Sequence, residues 1–442
     1  MTRHPYAAQI EALEPAARVG YVRKITQDHV EAIGPLASVG DICEIAAADA
    51  GRSGVLAEVV AIDEGRTILT PFSRLDAITP NARVVALPSK GLAPVGEGFA
   101  GRAVTAFGAP IDGRAPIIAE DMKPLDGNVL TPLERGDYDT ILETGLRAID
   151  GLLPIGRGQR IGVFSASGVG KTTLIRQIAA HTACDRGVLC LVGERGREVE
   201  SHWREASESS MRQRVTCVAA TSDLSAPLRV RAVRQALCLA EHWRDQGLHV
   251  LFVLDSVTRF AMALREVGLA AGAPPTVRAY TPNVFAALPR IVERCGAAKS
   301  GGSITAVMTV LAETDDVDDP IVETMKALLD GHIVLSRTLS EQGRFPAIDI
   351  ARSVSRQSER LMKGGHASMA RRAVSLIAAF EESRLMIEGG LYKTGSSVLV
   401  DEAIRLRETL LAFLRQPASE RASLAETLTA LGAALSGGRS HG

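Results

Sequence analysis

The chain has 442 residues, 46% hydrophobic and 23% charged, with a formal net charge of −1, enough for roughly two or three domains around a buried core. That neutral balance excludes a global basic field for nucleic acid or an anionic membrane, and an aromatic content of 4% argues against base-stacking platforms. Cys43, Cys184, Cys190, Cys217, Cys238 and Cys295 form no C-x-x-C pair, so metal-ligand spacing is absent and free thiols in a reducing cytosol are expected.

The start, M-T-R-H-P-Y-A-A-Q-I-E-A-L-E, lacks the long apolar core of a secretory signal. No stretch approaches the roughly 18 apolar residues of a membrane span, so a cytoplasmic location is expected. Tyr6, Ile10 and Leu13 share one face of a short helix; a frayed terminus is the other reading.

Residues 20–88 carry short apolar runs such as V-L-A-E-V-V-A-I (55–62) and A-R-V-V-A-L (82–87), separated by Gly, Asp and Pro. This spacing suggests a small sheet or barrel. From about 90 to 350, strand-like runs alternate with helical patterns such as 228–244. The runs are I-G-V-F (161–164), V-L-C-L-V (188–192), V-T-C-V-A (215–219), V-L-F-V-L (250–254) and I-T-A-V-M-T-V-L (304–311). Such alternation implies an α/β fold with a mostly parallel sheet covered by helices. After about residue 357 the pattern turns helical, and S-G-G-R-S-H-G (436–442) reads as a disordered tail.

The chemistry begins at S-A-S-G-V-G-K-T (165–172), one letter short of the phosphate-loop pattern G-x-x-x-x-G-K-[ST] because Ser165 stands in the first glycine position. A strand enters this loop and the helical pattern T-L-I-R-Q-I-A-A (173–180) leaves it, which is the context a phosphate loop requires. There the backbone N–H groups of Ser167, Gly168, Val169, Gly170, Lys171, Thr172 and Thr173 face phosphates at a helix N-terminus. Lys171 reaches the β- and γ-phosphates and the Thr172 hydroxyl ligates Mg²⁺. Ser165, at a strand end, is expected to be tolerated.

Asp255 closes the run 250–254 and is placed to hold the Mg²⁺ shell through a water. Taken alone, an Asp at that point is more often a helix cap. G-E-R-G-R-E (193–198) follows the strand 188–192, where a carboxylate would face the γ-phosphate. A solvated charge run is the alternative for that stretch.

With these residues the sequence resembles the flagellar and type III secretion export ATPases, relatives of the catalytic subunit of rotary ATP synthases. The likeness runs through V-G-E-G (95–98), G-A-P-I-D-G (108–113), T-G-L-R-A-I-D-G-L-L-P-I-G-R-G-Q-R (144–160), the loop and 193–198. It continues in D-S-V-T-R-F-A (255–261), D-G-H-I-V-L-S-R (330–337), F-P-A-I-D (345–349) and S-V-S-R (353–356).

The resemblance implies that Glu194 polarises the attacking water, that Arg195 lies near the γ-phosphate, and that Glu198 supports the magnesium waters. It implies that Phe345 packs on adenine, in place of the family's usual tyrosine, and that Arg356 is an arginine finger inserted by a neighbouring subunit. Without it, Arg356 reads as a surface salt bridge.

The implied fold is a RecA-like P-loop core (91–357) with an N-terminal small β-barrel (19–90), a C-terminal helical domain (358–435), a helical segment at 1–18 and the tail 436–442. The implied function is Mg²⁺-dependent ATP hydrolysis that energises protein export, by a homohexameric ring with its sites at subunit boundaries. Export chaperones and cargo, a stator-like regulator and export gate proteins are the implied partners, at the cytoplasmic face of the apparatus, with no nucleic acid and peripheral membrane association at most.

Two departures stand out: Ser165, and the stretch 360–386, which follows the family pattern loosely. The rival class is a ring-shaped RNA or DNA translocase, which shares the RecA-like core; a non-catalytic nucleotide-binding ring subunit is a third reading.

Overall fold

The computed structural model describes residues 18–437, apart from 49–52, 77, 88–90, 138, 209–210 and 313–318. Residues 1–17 of the expected terminal helix and 438–442 of the expected tail lie outside the described residues.

Six antiparallel strands come first: Val19–Ile25, Val30–Ile33, Ile42–Ile45, Val55–Asp63, Arg66–Pro71 and Arg83–Ala86. They close into a barrel in the order first, second, fifth, fourth, third, sixth, and closure leaves no free sheet edge. The fourth strand shows why the barrel holds. Its residues alternate inward and outward, and Val55, Ala57 and Val59 join Val22, Val30, Ile45 and Leu69 in the interior. Its hairpin to the fifth strand turns on Glu64 and Gly65, both at positive φ (45° and 77°), as a tight two-residue turn demands.

The second unit is a nine-stranded sheet. Its main path runs Ile348–Ser355, Gly331–Leu335, Arg160–Ser165, Ser303–Leu311, His249–Asp255, Arg186–Val192, Val215–Ala220, Ala103–Val104. Neighbours along that path are parallel except Ile348–Ser355, which runs antiparallel at the edge. Helices cover both faces, so His249–Asp255 is buried at every position, which explains its uninterrupted apolar run.

The helix Ala226–Asp245 lies on one face and buries Val233, Leu237 and Trp243; a side chain of that size contributes about 1.5–3 kcal/mol on full burial. It stops at Gly247 (φ 86°), whose N–H bonds the Arg244 carbonyl. All six cysteines are buried and unpaired.

Helices Gly365–Glu388, Val398–Leu414 and Leu424–Leu435 form the C-terminal layer, the last opened by a Ser423–Glu426 capping box. Gln416 ties this layer to the sheet unit. Its side chain accepts from Arg147 N–H (2.8 Å) and donates to the Gly145 carbonyl (2.7 Å), and its backbone N–H donates to the Phe345 carbonyl (2.9 Å). No described helix is long and apolar enough to cross a membrane.

Candidate active site

The carboxyl ends of the central parallel strands meet on one rim, and most of the sequence-predicted residues gather there, Arg356 excepted. Arg160–Ser165 feeds the glycine loop and Lys171–His181 is the helix that leaves it. Gly168 and Gly170 take φ of 79° and 96°. A Cβ on Gly168 would meet nothing within 4 Å, so conformation rather than crowding demands glycine there.

The loop's first position does not share that demand. Ser165 ends the strand without a positive φ and is 2% exposed; its Oγ is buried with no partner among the described residues. Ser167 and Thr173 are exposed, Thr172 is half-buried, and Val169 turns its side chain into the core. The first backbone bond of the helix runs from Leu174 N–H to the Gly170 carbonyl, which leaves the preceding N–H groups to an anion.

Lys171 stands between two carboxylates. Its Nζ is hydrogen-bonded to Asp255 Oδ1 and lies 3.8 Å from Glu194 Oε1. The Asp255 side chain is 2% exposed, and it is not the cap of the following helix. That role belongs to Ser256, whose Oγ accepts from Arg259 N–H at 3.3 Å.

Glu194 follows the turn at Gly193 (φ 72°). Burial pushes its carboxyl up to about 7, the Asp255 charge adds to this, Lys171 opposes it, and Glu198 adds again. A half-buried carboxylate that titrates near neutrality is suited to general-base work.

The helix Gly196–Glu208 begins immediately after, with Glu198 in its first turn. Arg176 of the loop helix fixes that helix, donating to Glu205 (2.6 Å) and to Ser201 Oγ (2.9 Å). Arg195 is 70% exposed and 4.0 Å from Glu198. Phe345 lies across the glycine loop, its ring 3.6 Å from where a Gly170 Cβ would stand.

Arg356 is elsewhere. It follows the antiparallel edge strand, bonding Asp330 O through its N–H (3.1 Å) and Lys326 O through its guanidinium (3.0 Å). Among the described residues, no hydrogen bond or ion pair joins it to Lys171, Glu194 or Asp255, and it makes no salt bridge of the kind the bare sequence suggested.

Three residues at the rim escaped sequence reasoning. Thr309, fully buried, donates from Oγ1 to Asp255 Oδ1 at 2.6 Å. Arg259 packs its stem on Gly193, where a Cβ would come within 2.8 Å of it, and its Nε is buried without a partner among the described residues. His202 is pushed down to about 4, by burial first and then by Arg176. Only Arg259 carried a signal, its place in the run that follows Asp255.

The donor set fits magnesium. Thr172, Asp255 and Glu198 offer hard oxygens, and no group of three or more His, Cys, Asp or Glu among the described residues forms a self-contained metal cage. Magnesium is commonly held by one or two carboxylates together with substrate phosphates.

A glycine loop with a lysine at a helix N-terminus, and acids at the ends of neighbouring parallel strands, define a RecA-like P-loop nucleoside triphosphatase. Known proteins narrow the class. The ATP synthase alpha/beta family nucleotide-binding domain matches residues 145–355, and the T3SS EscN ATPase C-terminal domain matches 362–433. The latter covers most of the loosely patterned stretch 360–386.

The chain is 41% identical over 428 residues to the flagellum-specific ATP synthase of Bacillus subtilis, covering 96% of each. It is 38% identical over 423 residues to the type 3 secretion system ATPase of Xanthomonas euvesicatoria, covering 96% of this chain and 95% of the relative. The assembled ATPase EscN of the enteropathogenic E. coli type III secretion system superposes with a TM-score of 0.89 at 37% identity, over 94% of this chain and 100% of that one. EscN in complex with its central stalk EscO superposes with a TM-score of 0.86 at 36% identity over the same shares. The chain belongs to the family of flagellar and type III secretion ATPases.

Proposed function

We propose that this protein hydrolyses ATP with Mg²⁺ to energise protein export, as a homohexameric ring whose sites are completed across subunit boundaries. The convergence of Lys171, Glu194 and Asp255 on one rim, 3.8 Å or less between lysine and each acid, carries the chemical reading. The assembled state of EscN supports the ring.

In this mechanism the loop N–H groups and Lys171 bind the phosphates, and Phe345 packs on adenine. Thr172, Asp255 and Glu198 would hold the Mg²⁺, which when bound neutralises charge on the phosphate oxygens. Glu194 orients the attacking water and accepts its proton, with Arg195 at the γ-phosphate. Arg356 of a neighbouring protomer stabilises the charge of the transition state.

Export chaperones and cargo, a stator-like regulator and export gate proteins are the partners this reading expects, at the cytoplasmic face of the apparatus. The EscN complex with its stalk EscO is in keeping with partners of this kind.

A dilution series tests the ring. Specific ATPase activity should climb steeply as monomers assemble, and should not respond to added RNA or DNA. Full activity in protein diluted to monomers sinks the shared site, and clear stimulation by nucleic acid favours the translocase.

A further inference from the structure

Thr309 interrupts the apolar strand Ser303–Leu311. That strand lies between the one that feeds the glycine loop and the one that ends at Asp255, and Thr309 sits opposite Val163. A hydroxyl buried this completely destabilises the fold unless it is hydrogen-bonded. Its bond is to the acid of the site: Oγ1 donates to Asp255 Oδ1 at 2.6 Å and lies 3.4 Å from the Leu254 carbonyl oxygen.

Lys171 reaches the same oxygen, Oδ1. Among the described residues no hydrogen bond reaches Oδ2. An aspartate carboxylate rotates broadly about its last torsion, and a donor rooted in the sheet restricts that rotation.

We propose that Thr309 is a positioning residue. By holding Oδ1 it sets the carboxylate plane and leaves Oδ2 for the water shell of the cation that accompanies the nucleotide. This rests on the reading of Asp255 given under Proposed function. Hydrogen bonds behind a metal-holding group commonly carry such orientation. A purely structural threonine would stabilise the fold without touching metal dependence.

The experiment measures ADP affinity by fluorescence titration in Mg²⁺ and in EDTA, with thermal midpoints in parallel. Thr309→Val removes the donor at nearly constant size. It should lower the Mg²⁺-dependent gain in ADP affinity by about tenfold and leave the EDTA affinity unchanged. Thr309→Ala must show the same split, and Thr309→Ser must restore the gain.

Asp255→Asn is the control and should lose the gain. If it does while Thr309→Val and Thr309→Ala keep theirs, the positioning role is wrong and the reading of Asp255 stands. Affinities falling together in Mg²⁺ and EDTA, or no recovery with Ser, also overturn the role. If Asp255→Asn keeps the gain, the reading of Asp255 fails and the proposal goes with it.

Discussion

The centre and the edge of the large sheet put their chemistry on opposite rims. At the centre, parallel strands end together and bring Lys171, Glu194 and Asp255 into ion-pair reach. At the edge, Ile348–Ser355 runs the other way: Ile348 pairs with Leu335 near the site rim, whereas Ser355 pairs with Gly331 at the far rim. Phe345, just before this strand, therefore reaches the glycine loop, and Arg356, just after it, is carried about 25 Å away by a strand of this length. Under the proposed function this is a division of labour: one chain assembles the phosphate and water machinery, and its finger serves another chain.

Breaking that division should produce the largest effect. Arg356→Ala is expected to lower ATPase turnover by about 10³–10⁵-fold while nucleotide binding to isolated chains, followed by equilibrium titration, stays at the wild-type level. A loss of binding in the isolated chain would place Arg356 in its own site.

Within the central cluster, pH is the sharper probe. Glu194 titrates at about 7, and only its ionised form accepts a proton. The ATPase rate should therefore fall about tenfold per pH unit below that value, and Glu194→Gln should abolish this limb. The stability sign is the reverse. A carboxyl raised from 4.5 to about 7 in the folded state makes stability decline as pH rises through that window, and thermal midpoints of Glu194→Gln should lose this decline.

The smallest effect belongs to the loop's unusual first letter. Ser165→Ala removes a buried hydroxyl that has no partner among the described residues, so stability should rise by about 1 kcal/mol or stay unchanged, with nucleotide binding preserved. A marked loss of binding would show that the hydroxyl serves the site.

Local pattern made the central half readable. The loop, the acid ending 250–254 and the strand before Glu194 announce themselves because each combines an apolar run with a turn or charge at its end. Strand limits shifted by a residue or two, as in 188–192 against Arg186–Val192, since propensity fades at element ends. Thr309 had no local mark. Its meaning lies in the sheet pairing that sets it beside an acid 54 positions earlier. His202 and the Gln416 tie to Phe345 likewise depend on packing between distant segments. The role proposed for Arg356 rests on family likeness alone, because a role toward another chain leaves no trace in a chain's own periodicity.

The shared site is tested most directly by mixing two crippled chains. Lys171→Ala lacks its own phosphate site but keeps its finger; Arg356→Ala keeps the site but lacks the finger. Assembled separately, both should be nearly inactive. Co-assembled at equal amounts, about a quarter of the head-to-tail interfaces pair an intact site with an intact finger, and ATPase activity should reappear well above either parent. A mixture no more active than its parents would contradict the account.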